Sequence, residues 1–150
     1  MSATVAGAVI GLLNATPAYA GLATGGTSFG DSPPERALPF GVLSEAHAPR
    51  HKRLTSEADF LEEPSLALHC YAGPTLTAGQ PNPADLMALA AEAALDRQNV
   101  ALQGQLDGAS VVSVLAAREL QKERPRTPQD LRVYRGSLDV KVTLHRRAPG

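Results

Sequence analysis

Leu131-Arg132-Val133-Tyr134-Arg135-Gly136-Ser137-Leu138-Asp139-Val140-Lys141-Val142-Thr143-Leu144-His145-Arg146-Arg147 is the stretch whose reading decides the fold. Side chains two apart on a strand share a face. Leu138, Val140, Val142 and Leu144 therefore line one face, and Asp139, Lys141, Thr143 and His145 the other. The alternation predicts a half-buried strand over 131–146 whose second face is wet or meets a partner. Gly136 is a candidate bulge in it. Pro125 and Pro128 break the chain just before, and Val111 to Leu120 reads as a further strand.

Upstream, Asn82-Pro83-Ala84-Asp85 opens a helix. Asn82 is a good N-cap, Pro83 suits the first turn, and Asp85 favours the positive helix start. Leu86, Leu89, Ala90 and Ala93 are its expected buried stripe, and Asp96 to Asn99 its end. Ala101 to Gly104 reads as a short strand, turning at Asp107-Gly108 into the next one. Before the helix, Phe40 to Ala46 and residues 65–71 read as strands. The polar residues 48–62 between them form an exposed excursion. Val5, Val9, Leu12 and Leu13 share one face of a helix expected over 3–15, with Ser2 or Thr4 near its cap and Pro17 past its end. The order α-β-β-α-β-β, without regular βαβ repetition, predicts an α+β fold. It would be a mainly antiparallel β-sheet with two α-helices packed on one face and long surface loops.

The chain has 150 residues, which suits one domain over 1–150. With three Phe, three Tyr and no Trp, the core falls to Leu, Val and Ala. Its 13 Gly and 12 Pro concentrate in residues 17–41, 72–83 and 125–128, the expected loops. A single cysteine, Cys70, excludes an internal disulfide and alternates in phase with Leu66 and Leu68, as a small buried hydrophobe does. Net charge is −1 but uneven. Residues 1–117 hold five Lys or Arg against eleven Asp or Glu, and residues 118–150 nine against four, giving −6 and +5. Opposed patches that meet between copies, or a basic surface near nucleic acid, account for such a division. Val5 to Leu13 followed by Ala18-Tyr19-Ala20-Gly21 imitates a signal peptide, but the first basic residue is Arg36. No run is long enough to span a bilayer as a helix, and no membrane partner is expected.

No constellation of catalytic residues emerges, and neither a cofactor nor a metal is expected. His47 and His51 are four apart but flank Pro49 and lack the zinc-protease pattern. Asp139 and His145 share a strand face, yet six residues of strand span roughly 20 Å, so with Ser137 they make no triad. Gly25-Gly26 and Gly30 match no phosphate loop. Tyr134 and Arg135 are candidate subunit-interface anchors, residue types favoured at such contacts. Arg118, Lys122, Arg124, Arg126 and Arg132 surround the Pro125–Pro128 turn and suit a DNA-facing opening or an acidic neighbour. Arg50, Lys52 and Arg53 add a second basic loop.

In order and spacing the chain resembles the tail terminator (tail completion) proteins of long-tailed bacteriophages. The resemblance rests on a short N-terminal helix, a loop, and Leu38-Pro39-Phe40-Gly41-Val42 at a strand start. A polar excursion then leads to Pro64-Ser65-Leu66-Ala67-Leu68-His69-Cys70-Tyr71-Ala72, similar to a family strand that ends in Tyr. The helix from Ala84 to Leu95-Asp96 and the closing Tyr134-Arg135-Gly136-Ser137-Leu138-Asp139-Val140-Lys141-Val142 complete it, over about residues 1–147. The resemblance implies a virion structural protein and not an enzyme. It would form a homo-hexameric ring at the head-proximal end of the tail tube, ending polymerisation of the tube protein and meeting the head–tail connector or stopper protein. DNA would pass through its lumen with few, non-specific contacts. Arg118, Arg132, Tyr134 and Arg135 would then sit at subunit contacts. Lys122, Arg124, Arg126, Arg50, Lys52 and Arg53 would face the lumen or a docking partner. Another neck or connector ring subunit has a similar shape, and a small ligand-binding or enzymatic α+β domain is the alternative of a different class.

Overall fold

The computed structural model describes residues 5–30, 38–53, 59–73, 81–106, 109–119 and 134–147. Five strands form one sheet: β1 (Thr27–Phe29), β2 (Phe40–Arg53), β3 (Asp59–Ala72), β4 (Ser110–Glu119) and β5 (Tyr134–Arg147). Their spatial order is β1-β2-β3-β5-β4. Every pairing is antiparallel except that of β1 with β2. Among the described residues four helices, α1 (Val5–Asn14), α2 (Pro17–Ala20), α3 (Pro83–Leu95) and α4 (Asn99–Gln103), join the sheet in an α+β fold.

The alternation in the closing stretch holds. Leu138, Val140, Val142 and Leu144 are all buried, against Leu66, Leu68 and Cys70 of β3 and Val114 and Ala116 of β4. Each such side chain withdrawn from water stabilises the fold by about 1.5–3 kcal/mol. The helices add Val5, Val9, Leu12, Leu13, Met87 and Leu95 to the same core. α1 buries the face expected of it. Pro17, however, does not simply follow the helix: it opens α2, with Thr16 in the cap position. α2 delivers Tyr19, fully buried, whose hydroxyl hydrogen-bonds Thr27 Oγ1 at 2.8 Å. Gly41 lies directly beneath, where a Cβ would collide with the Tyr19 hydroxyl. The loop expected within residues 17–41 thus contains α2 and β1.

α3 is rotated from its expected orientation. Ala84, Met87, Ala88, Ala91 and Leu95 are buried, whereas Leu89 is 44% exposed and Ala93 is exposed. Small residues face the sheet because the helix lies very close to it. A Cβ on Gly136 would stand 2.5 Å from the Ala84 carbonyl oxygen and 3.3 Å from Ala88 Cβ. Gly136 is thus no bulge. It keeps regular register with Cys70, between the pairs Arg135–Tyr71 and Ser137–His69.

The opposite flank of the helix layer closes the outer edge of β4. Gln103 Oε1 accepts from Val111 N (2.7 Å), Asn99 Oδ1 from Val114 N (3.2 Å), Asp96 Oδ1 from Ala116 N (3.0 Å) and Glu92 Oε2 from Arg118 N (3.0 Å). Positions 92, 96, 99 and 103 recur at helical spacing along α3 and α4 and so follow the strand. The Asn99 and Gln103 amides return the bond to the carbonyls of Val112 and Ala109, both at 2.9 Å. Residues 101–104, expected as strand, are helical at 101–103 for this reason: Gln103 supplies the edge with acceptor and donor. The Asp107-Gly108 turn lies outside the described residues. An edge satisfied in this way offers no template to another strand.

The polar stretch after Ala46 is not an excursion. β2 runs to Arg53 and β3 begins at Asp59, so the hairpin extends as a long tongue that β5 joins. Register shifts between Glu45 and His47 and between His47 and Arg50 accommodate Pro49. A bulge is where a strand tolerates proline. Beyond it the register sets Arg50 opposite Glu63 and Asp59 opposite Arg147.

Two outcomes test this packing. Gly136→Ala should lower stability by about 1–3 kcal/mol in urea unfolding, because the neighbour that must yield is helix backbone. Asp96→Ala combined with Asn99→Ala should lower it by about 1–3 kcal/mol and raise light scattering on concentration, as two edge amides lose their acceptors. Asp96→Asn should restore most of the loss.

Candidate functional site

β5 begins at Tyr134, opposite Ala72, and continues to Arg135, opposite Tyr71. Arg135 is exposed on the sheet face away from the helices. Arg118 lies on β4 opposite Leu138, in phase with the buried side chains, and its Nε reaches Glu92 Oε2 at 3.3 Å. The structure therefore does not join Arg118 and Arg135 in one cluster: they are on opposite faces. Arg132, Lys122, Arg124 and Arg126 lie outside the described residues. Arg50, Lys52 and Arg53 are not in a loop, since they belong to β2, opposite Glu63, Leu61 and Phe60. β5 brings two further bases to the same end, with Arg146 opposite Phe60 and Arg147 opposite Asp59. Sequence reasoning took Arg146 and Arg147 as the end of a strand. Their place beside Arg53 depended on knowing which strand β5 pairs with.

The sheet face away from the described helices has its own order. Phe40 stacks on Tyr71 with ring centroids 5.3 Å apart, and His69 Nδ1 hydrogen-bonds Ser137 Oγ at 2.9 Å. Histidine beside serine invites a nucleophilic reading. Ser137 is only 2% exposed, so a substrate carbonyl has no approach to its Oγ. The pair reads as a satisfied polar contact between two central strands. Ser137, Asp139 and His145 are not assembled: Ser137 lies opposite His69, Asp139 opposite Ala67 and His145 opposite Leu61. Further along this face a groove of about 500 Å³ runs over β3, β5 and β4, lined by Ser65, Leu115, Ala117, Asp139 and Lys141 and reaching Asp96. Leu115 is 51% exposed at its rim, and Lys141 Nζ stands 3.9 Å from Glu63.

Cys70 is fully buried beside Tyr19. Burial, relieved slightly by a hydrogen bond with Tyr19, pushes its thiol up to about 12. Burial also raises the Tyr19 hydroxyl far above its usual value, with the Cys70 charge adding to the effect. Neither group has the lowered value of a reactive nucleophile. Among the described residues no group of three or more His, Cys, Asp or Glu converges as a metal site would. No helix among them is long and apolar enough to cross a membrane.

What stands out is an architecture with two unlike sheet edges. The fold is similar to that of a chain from the virion of a native gene transfer agent particle, with a TM-score of 0.59, 15% sequence identity, and 91% of each chain covered. No protein-family model matches the sequence, and no curated protein matches it. At that identity the likeness is one of fold.

The buried thiol and phenol set a pH dependence. Both are raised in the folded state, so their stabilising effect is whole below the unfolded values of 9.0 and 10.0 and is lost as pH rises above them. Stability should fall from pH 9 toward pH 12, and Cys70→Ala with Tyr19→Phe should flatten that slope in thermal melts. Cys70 should resist thiol reagents at pH 8 until the chain is unfolded.

Proposed function

We propose that this chain is a virion structural protein of the tail terminator type, acting as one domain. In this reading six copies form a ring on the head-proximal end of a tail tube. The ring ends polymerisation of the tube protein and meets the head–tail connector, while DNA passes through its lumen. The observation that carries the reading is the fold shared over 91% of both chains with a component of a phage-like particle. Two features support it. The −6 and +5 halves of the sequence supply the unlike patches that a head-to-tail ring needs. The capped β4 edge restrains the open-ended strand addition that would give fibres instead of a closed ring.

Arg118, Arg132, Tyr134 and Arg135 are proposed for subunit contacts. Lys122, Arg124, Arg126, Arg50, Lys52 and Arg53 are proposed for the lumen or a docking partner. The second reading, a neighbouring ring of the neck, is favoured by the same shared fold.

Adding the purified chain to polymerising tail tube protein tests the proposal. The expected result is hexameric mass on tube ends and tubes of arrested length in electron micrographs. Binding to connector but not to tubes would move the assignment to the neck ring. A monomer indifferent to both would overturn the virion reading.

A further inference from the structure

α3 is apolar on more than the side it turns to the sheet. Over its 13 residues it carries two charged side chains, Asp85 and Glu92. Glu92 is engaged at the β4 edge by Arg118 and the Arg118 backbone N–H. Ala84, Met87, Ala88, Ala91 and Leu95 fill the core. The residues that spacing alone marks for burial, Leu86, Leu89, Ala90 and Ala93, form a second apolar stripe. Leu86 and Ala90 are half-buried at its margin, while Leu89 and Ala93 are open to water. A helix that is apolar on both sides belongs inside a larger structure than one chain supplies. A charge closes each end of the stripe. Asp85 opens the helix and Arg97 follows it, both exposed, and among the described residues neither makes an ion pair. Arg97 stands at φ 60°, in the left-handed position after a helix end that glycine ordinarily fills. Its N–H donates to the Val114 carbonyl oxygen at 2.8 Å, a bond glycine would make without the strain. What arginine adds there is its side chain.

These positions are self-complementary. Asp85 and Arg97 lie six residues either side of Ala91, and Leu89 and Ala93 two either side. A second α3 laid antiparallel across the first therefore sets Asp85 against Arg97 at both ends. Between them it sets Leu89 over Ala93 twice, large residue into small, as packed helices require. We infer that this outer face of α3 is a two-fold interface between copies of this chain. The same patch serves on both copies, so the contact closes at two and does not extend. It is separate from the head-to-tail contacts of the ring proposed above, and neither reading rests on the other. The paired charges orient the approach, and the apolar stripe supplies the buried surface. A single helix pair is a small interface, so the dimer forms at high concentration and dissociates on dilution.

Sedimentation velocity of the full chain over a concentration series tests this, with thermal melts confirming that each variant folds. The expected result is a monomer–dimer equilibrium that weakens as salt rises. Leu89→Asp should leave monomer alone. Asp85→Arg and Arg97→Asp should each weaken the dimer roughly tenfold, since each turns two attractions into repulsions. A chain carrying both reversals should regain most of the original affinity, because reciprocal pairing restores every attraction. A chain that stays monomeric at every concentration would overturn the inference, as would a dimer indifferent to Leu89→Asp. Failure of the double reversal to restore the dimer would overturn the antiparallel arrangement. A monomer whose binding to tail tube protein is lost in Leu89→Asp would give the face to that partner instead. Hexamers unaffected by Leu89→Asp, with no dimer at any concentration, would overturn this contact and leave the ring reading standing.

Discussion

The rotation of α3 about its own axis is the constraint on which the rest of the structure depends. One face must be small enough for the helix to lie against Gly136, and Ala84 and Ala88 meet that demand. The adjoining flank must present acceptors at the height of the β4 amides, and Glu92 and Asp96 meet it, continued by Asn99 and Gln103 of α4. The two requirements are satisfied by a single angular setting. Close approach alone would allow the alanine-rich helix to roll, and hydrogen bonds alone would allow it to lift away. Together they fix the distance and the register between helix layer and sheet.

This is also where the sequence misleads. Alanines on nearly every side of α3 give the helix little amphipathic contrast, so the larger apolar residues Leu86 and Leu89 look like the buried stripe. The structure turns Ala84 and Ala88 inward instead, because the space beneath them is set by Gly136, 52 residues after Ala84, in β5. Conversely, β5 was legible because its alternation is strict and its buried residues are large. The extension of β2 and β3 into a tongue was hidden by the polar and charged residues of 48–62, read as an exposed excursion. The pairing of β2 with β3, with its register shifts near Pro49, reverses that reading. α2 and β1 were missed because each is shorter than the window over which periodicity shows.

Of the proposed assembly residues, the sequence shows that Tyr134 and Arg135 lie in a strand and that Arg50, Lys52 and Arg53 are clustered. Which bases share an end of the sheet, which arginine is engaged by a helix carboxylate, and which side chains border a groove are matters of strand order. The order β1-β2-β3-β5-β4 is not readable from local pattern.

That order has a consequence for how the fold comes into being. The last strand in the sequence lies in the interior of the sheet, between β3 and β4, and the strands on either side of it have no direct pairing with each other. A ribosome-bound chain that has not yet released Tyr134 onward can form the β2–β3 hairpin and dock its helices, but the body of the sheet stays divided. Non-local pairing of this kind is slow and comes late. The finished molecule thus matures from its centre outward only after the final strand arrives. Surfaces that depend on β4 lying beside β5, the groove among them, form only once the chain from Tyr134 onward has taken its place between β3 and β4.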